Sequence, residues 1–200
     1  MTNKKPTIYL SIDVETDGAD ITQNSCIMLG VAISKPLDEI NLDENLDFYL
    51  EKKYWCIAKN GGTKSDDKTM NEFWSKNLGL LKFIQDNQLP FMQVQDKCAR
   101  FIAKYNDEYE IKYVARPTSY DIPWVRLIDK DNLLSHTGIC ISTILKVCDY
   151  LNIDRELINE LISNTMLPHT HYADDDAVQQ LYMFLRLKKY LESKRLVSDV

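Results

Sequence analysis

The sequence predicts an α/β fold, a mixed β-sheet flanked by α-helices, in a single domain covering residues 1–200. Three observations point there. Three β-rich apolar segments succeed one another in the first quarter of the chain. Helical and strand patterning alternate after them. No internal repeat or low-complexity linker divides the whole.

Thr7-Ile-Tyr-Leu-Ser-Ile12 alternates and is rich in β-formers, which predicts a buried strand ending at Asp13. Residues 16–20 are turn chemistry. Ser25–Ser34 is a nearly continuous apolar strand, and Leu46–Leu50 is expected to form a third. Lys59–Asp67 is the most loop-like stretch of the chain. A helix is expected from near Thr69, carrying Phe73 and Trp74. Val94, Cys98, Phe101, Ile102 and Tyr105 fall on one helical face, giving a helix over Met92–Tyr105. Ile111–Ala115 reads as a strand. Asp121 has the position of an N-cap, with Pro123 in the first turn of a helix to about Asp129. Further helices are expected over 143–151, 155–163 and 174–193.

The 44% hydrophobic and 27% charged fractions exclude a disordered or fibrous chain. No apolar run approaches the roughly 18 residues of a membrane span. Residues 1–6 lack the apolar region of a cleavable signal, which predicts a cytoplasmic protein. Cys26, Cys56, Cys98, Cys140 and Cys148 form no C-x-x-C pair and read as reduced core thiols. A net charge of −6 weighs against tight nonspecific duplex binding. It is compatible with clustered carboxylates that hold cations, because those cations offset the repulsion of phosphate.

Asp13 and Glu15, two residues apart on a strand, share one face. Paired acids at an otherwise apolar strand end are costly unless cations neutralise them. This pair alone fits either a hard-metal site of oxygen ligands or a strand emerging into solvent.

Two later segments add to it. Tyr120-Asp121 lies between a strand and a helix, and His171-Tyr-Ala173-Asp-Asp-Asp176-Ala177 opens the last helix. Together with Asp13, Glu15, Thr16 and Gly18, these resemble in order and spacing the three motifs of the DEDDh exonucleases, a ribonuclease-H-like family. The motifs run from Asp13 to Asp176. Thr69-Met-Asn-Glu-Phe-Trp-Ser-Lys76 is also similar to a segment of the branch that holds phage exonuclease A and small bacterial exoribonucleases.

The resemblance implies a ribonuclease-H-like sheet and a 3'-to-5' exonuclease acting on RNA or single-stranded DNA. It implies that Asp13, Glu15, Asp121 and Asp176 hold two Mg²⁺ or Mn²⁺ ions and that His171 deprotonates the attacking water. Nucleoside 5'-monophosphates are the expected products. The partner implied is a single-stranded nucleic-acid 3' end with no membrane, and a homodimer is admitted. The other function class is a catalytically silent nucleic-acid-binding or interaction module on the same fold. Against it stands the retention of all five motif residues.

Several residues carry competing readings. Asp17, where the family more often has a small or hydroxyl residue, is expected to be a solvated turn acid, with a contact near the metals as the other reading. Of the three consecutive acids only one can face a given site, because helical neighbours diverge by about 100°. Asp176 is assigned, with Asp174 or Asp175 capping the helix. Tyr172 stands four residues before Asp176, the spacing of a sister group that uses tyrosine; Ala173 and Ala177 favour His171. His169 and His171 as a zinc pair lack a third histidine other than His136, and 200 residues are short for a TIM barrel. His169 is therefore expected at the surface or behind the ligands, and His136 in a loop. Phe73 and Trp74 either fill the core or stack on a base, with one of them expected near the site. Arg116 is a lone candidate for a phosphate contact. The basic stretch from Lys188 to Arg195 reads as a solvated helix end, with a binding face for nucleic acid as the lesser reading.

Overall fold

A computed structural model describes residues 5–40, 42, 48–59, 61–134, 137–163 and 167–198. His136 lies outside them. Five strands form one mixed sheet: β1 (Thr7–Thr16), β2 (Cys26–Ser34), β3 (Tyr49–Cys56), β4 (Glu110–Ala115) and β5 (Ile139–Cys140). Their order is β3-β2-β1-β4-β5. The β1–β2 and β2–β3 pairs are antiparallel; β1–β4 and β4–β5 are parallel. Seven α-helices occur among the described residues: α1 (Asp67–Glu72), α2 (Leu78–Asp86), α3 (Phe91–Asn106), α4 (Thr118–Ile128), α5 (Ile141–Tyr150), α6 (Arg155–Ile162) and α7 (Ala173–Ser198). None is long and apolar enough to cross a membrane.

Strand alternation assigns the two faces of the sheet. Ile8, Leu10, Ile12 and Val14 of β1 pack with Val94, Cys98 and Ile102 of α3 and with Trp124 and Val125 of α4. Tyr9 on the opposite face packs with Ala177, Leu181 and Leu185 of α7. Asp13 and Glu15 share the α7 face, so the long last helix covers the strand that bears them.

The approach of α7 depends on Gly30. It pairs with Asp13 across the β1–β2 ladder. A Cβ at Gly30 would lie 2.0 Å from the Ala173 carbonyl carbon and 2.3 Å from the Asp174 nitrogen. Any larger residue there must push the start of α7 off the sheet.

The third strand runs from 49 to 56, later than the expected 46–50, of which positions 46 and 47 lie outside the described residues. Its charged Glu51-Lys52-Lys53 run masks it in the sequence, but β3 is an edge strand, where charges are tolerated. Helix α4 begins at Thr118 with Pro117 as its N-cap, so Asp121 does not cap it. Tyr120 and Asp121 already donate backbone bonds to Pro117 O, and the Asp121 side chain is turned inward. Pro123 consequently lies within the helix, beyond its first turn. Helix α2 and the two-residue β5 were not expected from the sequence.

Replacing Gly30 by alanine should destabilise the protein by about 1–3 kcal/mol or more. Chemical denaturation checks this; an unchanged midpoint would mean that α7 does not press on β2 as described.

Candidate active site

Asp13 and Glu15 sit near the C-terminal end of β1. Because β4 runs parallel beside it, the chain leaving β4 enters α4 at the same end of the sheet and brings Asp121 there. The first turn of α7 supplies Asp176. One carboxylate oxygen from each of Asp13, Glu15 and Asp176 lies within 4.8 Å of the others. Asp121 stands outside that tight group, close enough to raise both Asp13 and Glu15 electrostatically.

The acids are poorly solvated: Glu15 is 9% exposed, Asp121 3% and Asp176 1%. Burial, followed by repulsion from Asp176 and Asp121, pushes the Glu15 carboxyl up to about 8. Burial, only partly opposed by backbone hydrogen bonds from Val14 and Asp121 itself, raises Asp121 to about 7. Asp13 is raised well above the carboxylate range by burial and then by Asp121, Glu15 and Asp176. Gln180 opposes this, its Nε2 donating to Asp13 Oδ1 at 2.6 Å. Asp176 is raised by burial, against the amides of Thr170 and His171, which donate to it at 2.9 Å each. Asp121 Oδ2 is buried without a hydrogen-bond partner. A buried orphan acceptor beside three crowded carboxylates is the donor set of a hard divalent cation, so these residues fit Mg²⁺ or Mn²⁺.

His171 takes a left-handed backbone, φ 60°, sparsely populated for a residue with a side chain. The Asp176 carboxylate holds the turn by accepting its amide. The imidazole is one-third exposed and its Nδ1 lies 3.9 Å from Glu15 Oε1. Burial, then the neighbouring His169, lowers its pKa below the ordinary value. Tyr172 turns the other way and meets Phe83 of α2 at 5.5 Å between ring centroids.

Trp74 is fully buried, its Nε1 donating to Thr16 O at 3.0 Å. Phe73 lies edge-on to both Trp74 and His171, with centroids 4.9 Å apart in each case. One aromatic of the pair is thus core and the other borders the site. His169 is more than half exposed, yet its Nδ1 approaches Asp176 Oδ2 at 3.0 Å. Arg116 directs its guanidinium at Met183 Sδ, 3.1 Å away.

Two expectations are corrected. Asp17 is not solvated: it is 1% exposed, paired with Lys59 at 2.7 Å, and accepts from the Ser25 amide and the Ser65 hydroxyl. Ser65 and Asp66 fold back over it, the Asp66 amide donating to Asp17 O. Asp174 and Asp175 both pair with Lys52 of β3 in place of serving as caps, which leaves Asp176 to face the acids. Gln180 escaped the sequence reading although it lies four residues after Asp176, on the same helix face. Lys52 carried no signal, being one of two adjacent lysines on an edge strand. The hydrogen bond between Thr16 Oγ1 and Tyr120 OH, 2.6 Å, was likewise unforeseen and ties the first motif to the second.

No protein-family model matches the sequence, and no curated protein matches it. Solved structures share its fold. The nuclease domain of 3'hExo, a DEDDh family member solved bound to rAMP, is 11% identical with a TM-score of 0.60, over 94% of each chain. The RNase domain of the yeast Pop2 protein is 10% identical with a TM-score of 0.60, over 94% of this chain and 78% of that one. A 3'-exonuclease solved for its 3'-end-specific recognition of a histone mRNA stem-loop is 12% identical with a TM-score of 0.61, over 94% and 83%. The fold is therefore ribonuclease-H-like, that of these exonuclease domains.

The raised carboxyls predict a pH dependence of stability. Glu15 and Asp121 move from ordinary values of 4.5 and 3.8 to about 8 and about 7. Between those limits the folded chain binds more protons than the unfolded one, so stability falls as pH rises. In chelator, the melting temperature should drop from pH 5 to pH 8.5. Mg²⁺ or Mn²⁺ should restore most of the loss at pH 8.5, and Glu15→Gln should flatten the slope. A metal-independent profile would contradict the cation site.

Proposed function

We propose that this chain is a 3'-to-5' exonuclease of the DEDDh type, removing nucleoside 5'-monophosphates from a single-stranded RNA or DNA end. Asp13, Glu15, Asp121 and Asp176 would hold two Mg²⁺ or Mn²⁺ ions. The observation that carries this reading is the meeting of Asp13, Glu15 and Asp176 from distant segments, with the buried Asp121, whose Oδ2 has no partner, close by. The Thr69–Lys76 segment supports placing the chain near the phage exonuclease A branch. The five free cysteines fit a reducing cytoplasm.

When bound, the ions supply positive charge that neutralises the carboxylates and the scissile phosphate. The chain's own groups do the rest. Gln180 orients Asp13 through Oδ1, and the Thr170 and His171 amides orient Asp176. His171 accepts the proton of the attacking water. Its lowered pKa keeps it neutral near pH 7, and its partial exposure leaves it reachable. Phe73, edge-on to His171, offers a face on which a terminal base can stack.

The test is degradation of matched 5'-labelled RNA and DNA oligonucleotides. We expect laddering from the 3' end with Mg²⁺ or Mn²⁺, little with Ca²⁺, whose looser coordination suits the site poorly, and none in chelator. The faster ladder names the substrate. Full hydrolysis in excess chelator would overturn the mechanism, and nucleic-acid binding without hydrolysis would favour the silent module.

His171→Ala should lower turnover by about 10²–10⁴-fold, while Tyr172→Phe costs little. Activity should rise with pH through a limb below the ordinary histidine value, and that limb should change in His171→Ala. A crippled Tyr172→Phe beside a nearly normal His171→Ala would transfer the base to tyrosine.

A further inference from the structure

The geometry points to a second cation site, formed by His169, His171 and Asp176, that takes a borderline-soft divalent transition ion such as Zn²⁺ and inhibits the enzyme when filled. Ligand atoms of these three residues all lie within 4.8 Å of one another. The two imidazoles face each other edge-to-face at 4.2 Å between centroids, and His169 Nδ1 is 3.0 Å from Asp176 Oδ2.

The two groups of ligands differ in chemistry. Asp13, Glu15 and Asp176 offer only oxygens, which suit Mg²⁺ and Mn²⁺. The histidine group offers two nitrogens and one oxygen, a set that suits Zn²⁺ and leaves a fourth position open. With Zn–N bonds of about 2.0–2.1 Å, tetrahedral ligands stand about 3.3–3.5 Å apart. His169 Nδ1 and Asp176 Oδ2, 3.0 Å apart, already stand that close, and the longest spacing, at most 4.8 Å, has to close by up to an ångström or so. His169 can supply that movement by side-chain rotation, since its side chain is 56% exposed. Asp176 cannot, being 1% exposed and held by two amides, so it provides the fixed corner.

Asp176 belongs to both groups, and His171 is the base proposed above. An ion in the histidine group ties up the imidazole nitrogen that must stay free and draws on a carboxylate that the acid group shares. Binding of Zn²⁺ follows from the geometry alone, whereas inhibition rests on the exonuclease reading.

The experiment titrates the full-length, chelator-treated protein with ZnCl₂ by calorimetry and with CoCl₂ by visible absorption, circular dichroism confirming that each variant is folded. We expect one ion per chain, Co²⁺ bands of a nitrogen-containing low-coordinate site, and affinity at least about ten-fold weaker in His169→Asn. Asp13→Asn, which breaks the acid group alone, should retain Zn²⁺ within about three-fold. Equal Zn²⁺ affinity in wild type and His169→Asn overturns the site, as does a loss confined to Asp13→Asn. In the oligonucleotide assay with Mg²⁺, half-inhibition should need at least about ten-fold more Zn²⁺ in His169→Asn than in wild type. Binding without inhibition overturns the regulatory half. Zn²⁺ binding in a protein that never hydrolyses with Mg²⁺ sinks the exonuclease reading and leaves the site standing. Hydrolysis without Zn²⁺ binding sinks the site alone.

Discussion

The contact between Gly30 and the first residue of α7 is the constraint on which the rest of the molecule turns. Gly30 lies opposite Asp13, and the absent side chain is the space into which the Ala173 backbone fits. With α7 lowered to that depth, Ala177, Leu181 and Leu185 reach the apolar surface of Tyr9, Ala32 and Val114. The same depth lets Asp176 and Gln180 reach the acids of β1. Packing and site geometry thus share one steric condition, and neither can be altered without the other.

What the close fit creates is electrostatically unfavourable as it stands. Four carboxyls lose water and repel one another, and every one of them is raised. The chain compensates in part, through the Gln180 amide and the backbone amides of Val14, Thr170 and His171. These neutral donors moderate the charge without cancelling it, and Asp121 Oδ2 has none. The neighbouring acids are treated differently: Asp174 and Asp175 have Lys52, and Asp17 has Lys59. Among the described residues, the lysines that pair with acids at this end of the sheet are thus Lys52 and Lys59, on Asp174, Asp175 and Asp17. That contrast sets a cluster able to hold cations apart from an ordinary buried ion-pair network.

The elements legible in the sequence are those whose burial pattern is regular. The alternation of β1 and the stripe of α3 reflect contact with the core between them, and the apolar run of β2 reflects burial on both faces of the sheet. The three motifs were legible because each acid sits at a strand end or a helix start, where local patterning changes. What escaped notice depended on distant partners. Edge strand β3 reads as polar because Glu51 serves Lys104 and Tyr105 of α3, and Lys52 serves α7. Asp17 looks like a turn acid until a loop more than 40 residues later supplies Lys59 and Ser65. Asp121 has the residue type of a cap, but α4 starts one turn earlier and spends that carboxylate on the interior. Helix α2 buries only Leu80 and Ile84, too narrow a stripe to announce itself.

The order in which the acids enter the chain has a consequence for synthesis. Asp13 and its helper Gln180 are 167 residues apart, and the β1–β4 pair joins Thr7 to Glu110. At translation rates of about 5–20 residues per second, the ribosome needs on the order of ten seconds or more to span that interval. Throughout it the cluster lacks Asp176 and the helix that buries Asp13 and Glu15, because α7 has not been made. The complete cluster therefore comes into being only once α7 has emerged and docked, and a nascent or C-terminally clipped chain lacks Asp176.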